Sequence, residues 1–198
     1  MTATERESLD GLVLAVYDNT TAPELLETVR NLYAEVYAEP PYCDGPAEVE
    51  AFASRWPRRL AQAHFRLVIA DDADEPIAFT FGHQLAVPTR WWDGAVEPLP
   101  DSVTTEHDGR TFAIIEMGVR QPHRRRGVAA QLHAHLTAGL PHERTTLLVH
   151  PEADAPRRAY TSWGYRSVGL IRPYADGPIL DAMIKTLNET ERRGRSEI

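Results

Sequence analysis

The stretch from 111 to 149 constrains the fold more than any other part of the chain. Thr111–Val119 (TFAIIEMGV) is apolar almost throughout and reads as a buried strand. Residues 120–126 form an arginine-rich turn. Gly127 then opens a helix to residue 138, with Val128, Leu132 and Leu136 on one face and Gly139 and Pro141 to stop it. Residues 145–149 are the next strand. Strand, turn, helix and strand in this order read as a crossover between parallel strands. The turn is also an anion cradle. A helix start has free backbone N–H groups and a partial positive charge. Gly127 and Ala129 are small enough for a phosphate to approach, and Arg124, Arg125 and Arg126 add fork-shaped donors. The implied ligand carries a pyrophosphate: a charge run alone reads more readily as a solvated basic turn, but its place between a strand and a helix and the small Gly127 and Ala129 reverse that reading.

The flanking sequence fits an α/β chain. Leu12–Tyr17 is a short strand. Thr21 and Glu24 resemble a capping box and Pro23 suits a first turn. Leu25, Val29, Leu32 and Val36 then recur at helical spacing, which predicts a helix over 22–38. After the turn at Asp44, Gly45 and Pro46, a second helix carries Val49, Phe52 and Trp56 on one stripe, and Pro57 is expected to end or kink it. Residues 64–86 read as a hairpin around an acidic turn. Residues 87–109 are irregular and contain Trp91 and Trp92; loops of this length are often functional. A short helix over 154–163, with Asp154 as its cap, precedes strands at 166–171 and 179–187. The order β-α-α-β-β-β-α-β-α-β-β predicts a mixed sheet.

At 198 residues and 42% apolar content, one core-forming domain is expected over 11–187. The polar ends, 1–10 and 188–198, are expected to be flexible. No apolar run approaches the roughly 18–20 residues that span a bilayer, and no apolar stretch near the start suggests a secretion signal. Cys43 is the only cysteine, so a reducing cytoplasm is the expected setting. A net charge of −8 disfavours nucleic acid as a partner and mildly favours a cationic one.

Arg124-x-x-Gly127-x-Ala129 matches the Q/R-x-x-G-x-G/A signature of the GNAT N-acetyltransferase superfamily, and the chain resembles its bacterial small-molecule and protein acetyltransferases. A second segment agrees: Tyr160-Thr161-Ser162-Trp163-Gly164-Tyr165 is similar to the family's Y-x-x-x-G-[FY]. The resemblance implies a mixed, mostly antiparallel seven-stranded sheet flanked by about four helices, splayed between strands four and five. It also implies acetyl-CoA as co-substrate. The pyrophosphate would be held by Arg124, Arg125, Arg126, Gly127, Val128 and Ala129, and the pantetheine arm by Met117, Gly118 and Val119. The acetyl group would pass directly to an amine in a ternary complex, with the Val119 N–H on the oxyanion and Tyr160 protonating the departing thiolate. Dimers are common in this fold. Ala153 departs from the asparagine often found seven residues before that tyrosine, which puts one pantetheine contact in doubt.

An alkyl amine is mostly protonated at neutral pH, so a base is required. Glu116 is the candidate: a carboxylate in an apolar strand, with Gly118 on its face, whose pKa should be raised. The fifth strand offers none (Leu147, Leu148, Val149). Tyr33 and Tyr37, one turn apart, with Trp91 and Trp92, are candidates for the acceptor wall, and the turn at Pro40, Pro41 and Tyr42 is a further one. His150 and Cys43 read as structural. His133 and His135 diverge on their helix, and no metal site is expected. The expected partner is a small-molecule or peptide amine, with no membrane role. Two alternatives stay open: an acyl-CoA-binding protein without catalysis, and an arginine-rich nucleic-acid module.

Overall fold

A computed structural model of the chain describes residues 3–9 and 11–187. Its elements are β1 (Glu5–Leu9), β2 (Leu12–Tyr17), α1 (Leu26–Tyr37), α2 (Pro46–Leu60), β3 (Arg66–Asp72), β4 (Glu75–Gln84), α3 (Asp101–Thr104), β5 (Thr111–Val119), α4 (Val128–Thr137), β6 (Arg144–Val149), α5 (Asp154–Ser162), β7 (Arg166–Ile171) and β8 (Leu180–Thr186). The strands follow the order β1-β2-β3-β4-β5-β6-β8-β7. The β1–β2, β2–β3, β3–β4, β6–β8 and β7–β8 pairs are antiparallel, and β5–β6 is parallel. The expected α/β class and mixed, mostly antiparallel sheet are therefore present, with eight strands instead of seven. The β5–β6 ladder covers only three pairs, Thr111–Ala113 with Arg144–Thr146, although both strands are longer.

The chain divides into two compact units. One holds residues 1–83 and 115–138, the other 84–114 and 139–198. In the first, α1 and α2 bury Val29, Leu32, Tyr33, Tyr37, Phe52 and Trp56 with Leu67 and Ile69 of β3 and Phe79 and Phe81 of β4. Aromatic edges meet faces there, with Trp56 5.4 Å from Phe81 and 5.7 Å from Phe65. Each such side chain contributes about 1.5–3 kcal/mol by leaving water. Helix α4 lies against β2 and β3. Arg66 of β3 caps its end by donating to the carbonyls of Leu136 (3.0 Å) and Ala138 (2.7 Å).

Several local expectations are corrected. Residues 5–9, expected to be flexible, form β1, paired to β2 from Glu5↔Val16 to Leu9↔Leu12. The first helix is not capped by Thr21. Asp18 accepts the Thr20 hydroxyl (2.7 Å) and the N–H groups of Thr20 (2.8 Å) and Thr21 (3.0 Å), bonds that hold its carboxyl down at about 2. Pro57 does not end α2, which runs on to Leu60. Phe52 and Trp56 anchor the preceding turn, and their burial outweighs one missing backbone bond. Asp154 lies inside the first turn of α5 and makes no capping bond. Residues 188–198 lie outside the described residues.

In the second unit, the segment 87–109 is not wholly irregular, since it contains the single turn α3. A buried carboxylate fastens it. Glu106 pairs with Arg144 of β6 at 2.7 Å and accepts from Thr111 Oγ1 (2.8 Å) and Trp92 Nε1 (3.0 Å). Arg144 also donates to the Val103 carbonyl at 2.7 Å and lies 5.5 Å from the Trp92 ring centroid.

Candidate active site

Strand β5 passes so close to α1 that a Cβ on Gly118 would lie 2.9 Å from Phe79 and 3.1 Å from Val36. Glycine is therefore required there. Glu116, two residues earlier, meets Tyr37 of α1, whose hydroxyl donates to its carboxylate and lies 3.5 Å from the Met117 carbonyl. Tyr33 stacks on Tyr37 (centroids 4.5 Å) and on Phe52 (4.3 Å), and its hydroxyl donates to Asp44. From α2, Arg55 and Arg59 extend their positive charge to Glu116, and Arg59 Nη1 lies 3.2 Å from His83 Nε2.

Burial pushes the Glu116 carboxyl up to about 7. The Tyr37 hydrogen bond, Arg59 and Arg55 pull it the other way, and Asp44 adds to the rise. Burial, with help from Glu116 and Asp44, raises the Tyr33 hydroxyl as well. Sequence reading singled out Glu116, Tyr33 and Tyr37, which converge here. It missed Asp44, Arg55, Arg59 and His83. The four-residue spacing of Arg55 and Arg59, beside the Phe52–Trp56 stripe, was the available signal.

The basic turn after β5 is built by ion pairs. Arg124 donates to the Val119 carbonyl (2.9 Å) and pairs with Glu39 (2.6 Å). Arg120 pairs with Glu35 at 2.8 Å, and Arg126 reaches Asp72 at 3.7 Å. Arg125 is exposed with φ 63°. Gly127 caps α4 at φ 80°, the left-handed region that glycine enters without strain. As a result, the N–H groups of Arg125, Arg126, Gly127, Val128 and Ala129 donate to no acceptor among the described residues. Val128 buries its side chain in the core and turns only its backbone to this row. Five consecutive donors at a helix start, with open space beside Gly127, fit a pyrophosphate.

The remaining expected residues lie in the second unit. The Tyr160 ring of α5 is half-buried against Trp163 (5.5 Å) and Tyr165 (5.8 Å). Trp92 is buried in the Glu106–Arg144 network, and Trp91 meets it edge-on at 6.5 Å. Ala153 is buried before α5. His150 Nδ1 accepts from the Glu152 N–H at 3.2 Å, and in the first unit Cys43 is exposed. Among the described residues, no three His, Cys, Asp or Glu side chains gather as a metal would need, and no helix is long and apolar enough to cross a membrane.

No curated protein matches the chain in sequence. Solved structures match its fold. An aminoglycoside 6'-acetyltransferase type Ii is 17% identical, with a TM-score of 0.61 over 89% of this chain and 98% of its own. The ribosomal-protein-S18-alanine N-acetyltransferase of Escherichia coli is 15% identical, with a TM-score of 0.58 over 94% and 99%. Arabidopsis thaliana NAA60, solved with a bisubstrate analogue, is 16% identical, with a TM-score of 0.60 over 89% and 99%. The model of the Acetyltransferase (GNAT) family matches residues 26–165, which span β5, the basic turn and the start of α4, so the chain belongs to the GNAT acetyltransferases.

Proposed function

We propose that this acetyltransferase moves an acetyl group from acetyl-CoA to a primary amine by direct attack within a ternary complex, with Glu116 as the general base. The observation that carries the reading is the Glu116 carboxyl, raised to about 7 on a strand that ends at the unsatisfied N–H row. A base poised near the working pH can both take and release a proton. Bound acetyl-CoA supplies the thioester. Glu116 takes one proton from the acceptor ammonium. The freed nitrogen forms a bond to the thioester carbonyl carbon, and the Val119 N–H is assigned to the developing oxyanion. The carbon–sulfur bond then breaks, and Tyr160 is assigned to protonate the leaving thiolate. The second proton lost by the nitrogen restores the Tyr160 hydroxyl. The arginines of the turn reach Glu35, Glu39 and Asp72, which supports a shaped cradle over a nucleic-acid surface.

Calorimetric titration with acetyl-CoA tests the cradle. The wild type should bind in the micromolar range. Joint replacement Arg124→Ala and Arg126→Ala should weaken binding at least tenfold, because Arg124 holds the turn to Val119 and Glu39. A wild type that does not bind acetyl-CoA would remove the proposal.

Tyr160→Phe keeps the ring packing and deletes only the hydroxyl. It should lower kcat by about 10²-fold, the low end for one proton-transfer group, with acetyl-CoA affinity unchanged. A kcat equal to wild type in thiol-release assays would reject Tyr160 as the acid.

A further inference from the structure

We infer that Arg157 and Asp181 are positioning residues for the acid: their ion pair sets α5 on β8 so that the Tyr160 hydroxyl is held for the leaving thiolate. The inference rests on the assignment of Tyr160 above and adds what places it.

Helix α5 has nine residues, and none of them is buried. A helix this short is marginal by itself. Its sequence, DAPRRAYTS, has no run of large apolar residues to press onto a strand. Arg157, Ala159 and Tyr160 are half-buried, and the other six are exposed. Arg157 and Tyr160 are three residues apart, so they share the inner face. The helix is therefore held at two points, one polar and one aromatic.

The polar point is Asp181 of β8, whose side chain is 3% exposed. Its Oδ2 accepts Arg157 Nε at 3.2 Å and Nη2 at 3.0 Å, while its Oδ1 accepts the Ser167 hydroxyl of β7 at 2.5 Å. Arg157 Nη1 donates to the Pro151 carbonyl at 3.4 Å, which ties the loop before α5 to the same guanidinium. The aromatic point is Tyr165, a buried side chain whose hydroxyl is bonded to Thr145 Oγ1 of β6 at 2.7 Å. The Tyr160 ring meets it at 5.8 Å with the planes at 63°, and the Tyr160 carbonyl accepts the Tyr165 N–H at 3.0 Å. A ring contact at one end leaves the helix free to pivot. Arg157, three residues earlier, removes that freedom.

A buried carboxylate is a poor device for stability alone, because an ion pair taken out of water gains little over an apolar pair of the same size. What it supplies is direction. Two guanidinium donors converging on one oxygen fix an orientation that an apolar contact would leave loose. Misplacing a reacting group by about 1 Å can cost about 10²-fold in rate, so an anchor of this kind has a catalytic effect without touching the substrate.

The test is a double-mutant cycle between positions 157 and 160. Thiol release from acetyl-CoA is followed with spermidine, L-lysine and a peptide with a free N-terminus as acceptors, and acetyl-CoA affinity and Tm are recorded for each variant. Arg157 is 41% exposed, so its variants are expected to fold. Arg157→Gln should lower kcat about tenfold for any acceptor turned over, with acetyl-CoA affinity within about twofold of wild type, and Arg157→Lys should recover part of the loss. In the Tyr160→Phe background the same replacement should change kcat by less than about twofold, because no hydroxyl remains to be placed. Asp181→Asn, which keeps the shape and removes the charge, should repeat this pattern. Equal losses of kcat in the two backgrounds would make the pair merely structural and overturn the inference, as would a wild-type kcat in Arg157→Gln. Tyr160→Phe turning over at the wild-type rate, or bound acetyl-CoA with no acceptor used, would instead remove the acid assignment on which the inference rests.

Discussion

Replacing Glu116 by Gln is expected to lower kcat/KM by about 10²–10⁴-fold, the usual worth of a positioned proton acceptor, and to make the fold more stable above neutral pH. The two effects share one cause. Burial raises this carboxyl from an ordinary 4.5 to about 7. Between those values the folded protein keeps a proton that the unfolded chain has released, so stability falls as pH rises through the window. Above pH 7 the full cost of the buried charge is present, roughly 3 kcal/mol for a shift of this size. Glutamine carries no charge, and its amide oxygen can still accept from Tyr37. The variant should therefore gain up to that amount at pH 8 and nothing at pH 4. Catalysis requires the ionised form, so wild-type kcat/KM should rise with pH toward a limb near 7 that the variant lacks. Urea denaturation at pH 4 and pH 8, with a pH–rate profile, checks both halves. A variant of unchanged rate would place the base elsewhere, and equal stability gains at both pH values would mean that the carboxyl does not titrate there.

Periodicity and motif make much of the fold legible in the amino-acid order alone. The crossover from β5 through α4 to β6 rests on an apolar strand, a glycine start and a three-residue helical stripe, all local signals. Strand β1 is not legible in this way, because its sequence ERESL is exposed at Glu5, Arg6, Glu7 and Ser8 and is held by backbone pairing with β2 and by the contact of Glu7 with His135 at 2.9 Å. Helix α2 outlasts Pro57 because tertiary burial of Phe52 and Trp56 overrides a local breaker. In the site, Glu116 stands out as a charge in an apolar strand. Arg55, Arg59 and Asp44 do not, since ordinary surface positions look the same in sequence until packing of α1 and α2 carries them to one strand. Likewise, Arg124, Arg125 and Arg126 read as phosphate donors, whereas the side chains of Arg124 and Arg126 are joined to Glu39, after α1, and to Asp72 of β3.

The largest loss of stability is expected from Glu106→Ala. Glu106 and Arg144 are 4% and 8% exposed, and the carboxylate also receives Thr111 and Trp92. Deleting it strands a buried guanidinium and an indole N–H. Losing one partner of a buried pair costs about 3–5 kcal/mol, which lowers Tm by roughly 6–20 °C in a chain of this size. Joint replacement by Glu106→Leu and Arg144→Met removes both charges. It should be less damaging than Glu106→Ala, though not neutral, because Trp92 and the Val103 carbonyl still lose partners. A shift of the urea midpoint by less than about 1 kcal/mol equivalent in Glu106→Ala would show that the network does not hold the segment. The same series bears on Trp92. If its indole serves only this network, Glu106→Gln, which keeps an acceptor and weakens the charge, should lower stability while leaving acceptor KM at the wild-type value. A matching rise in KM would tie Trp92 to the acceptor through the segment that Glu106 fastens.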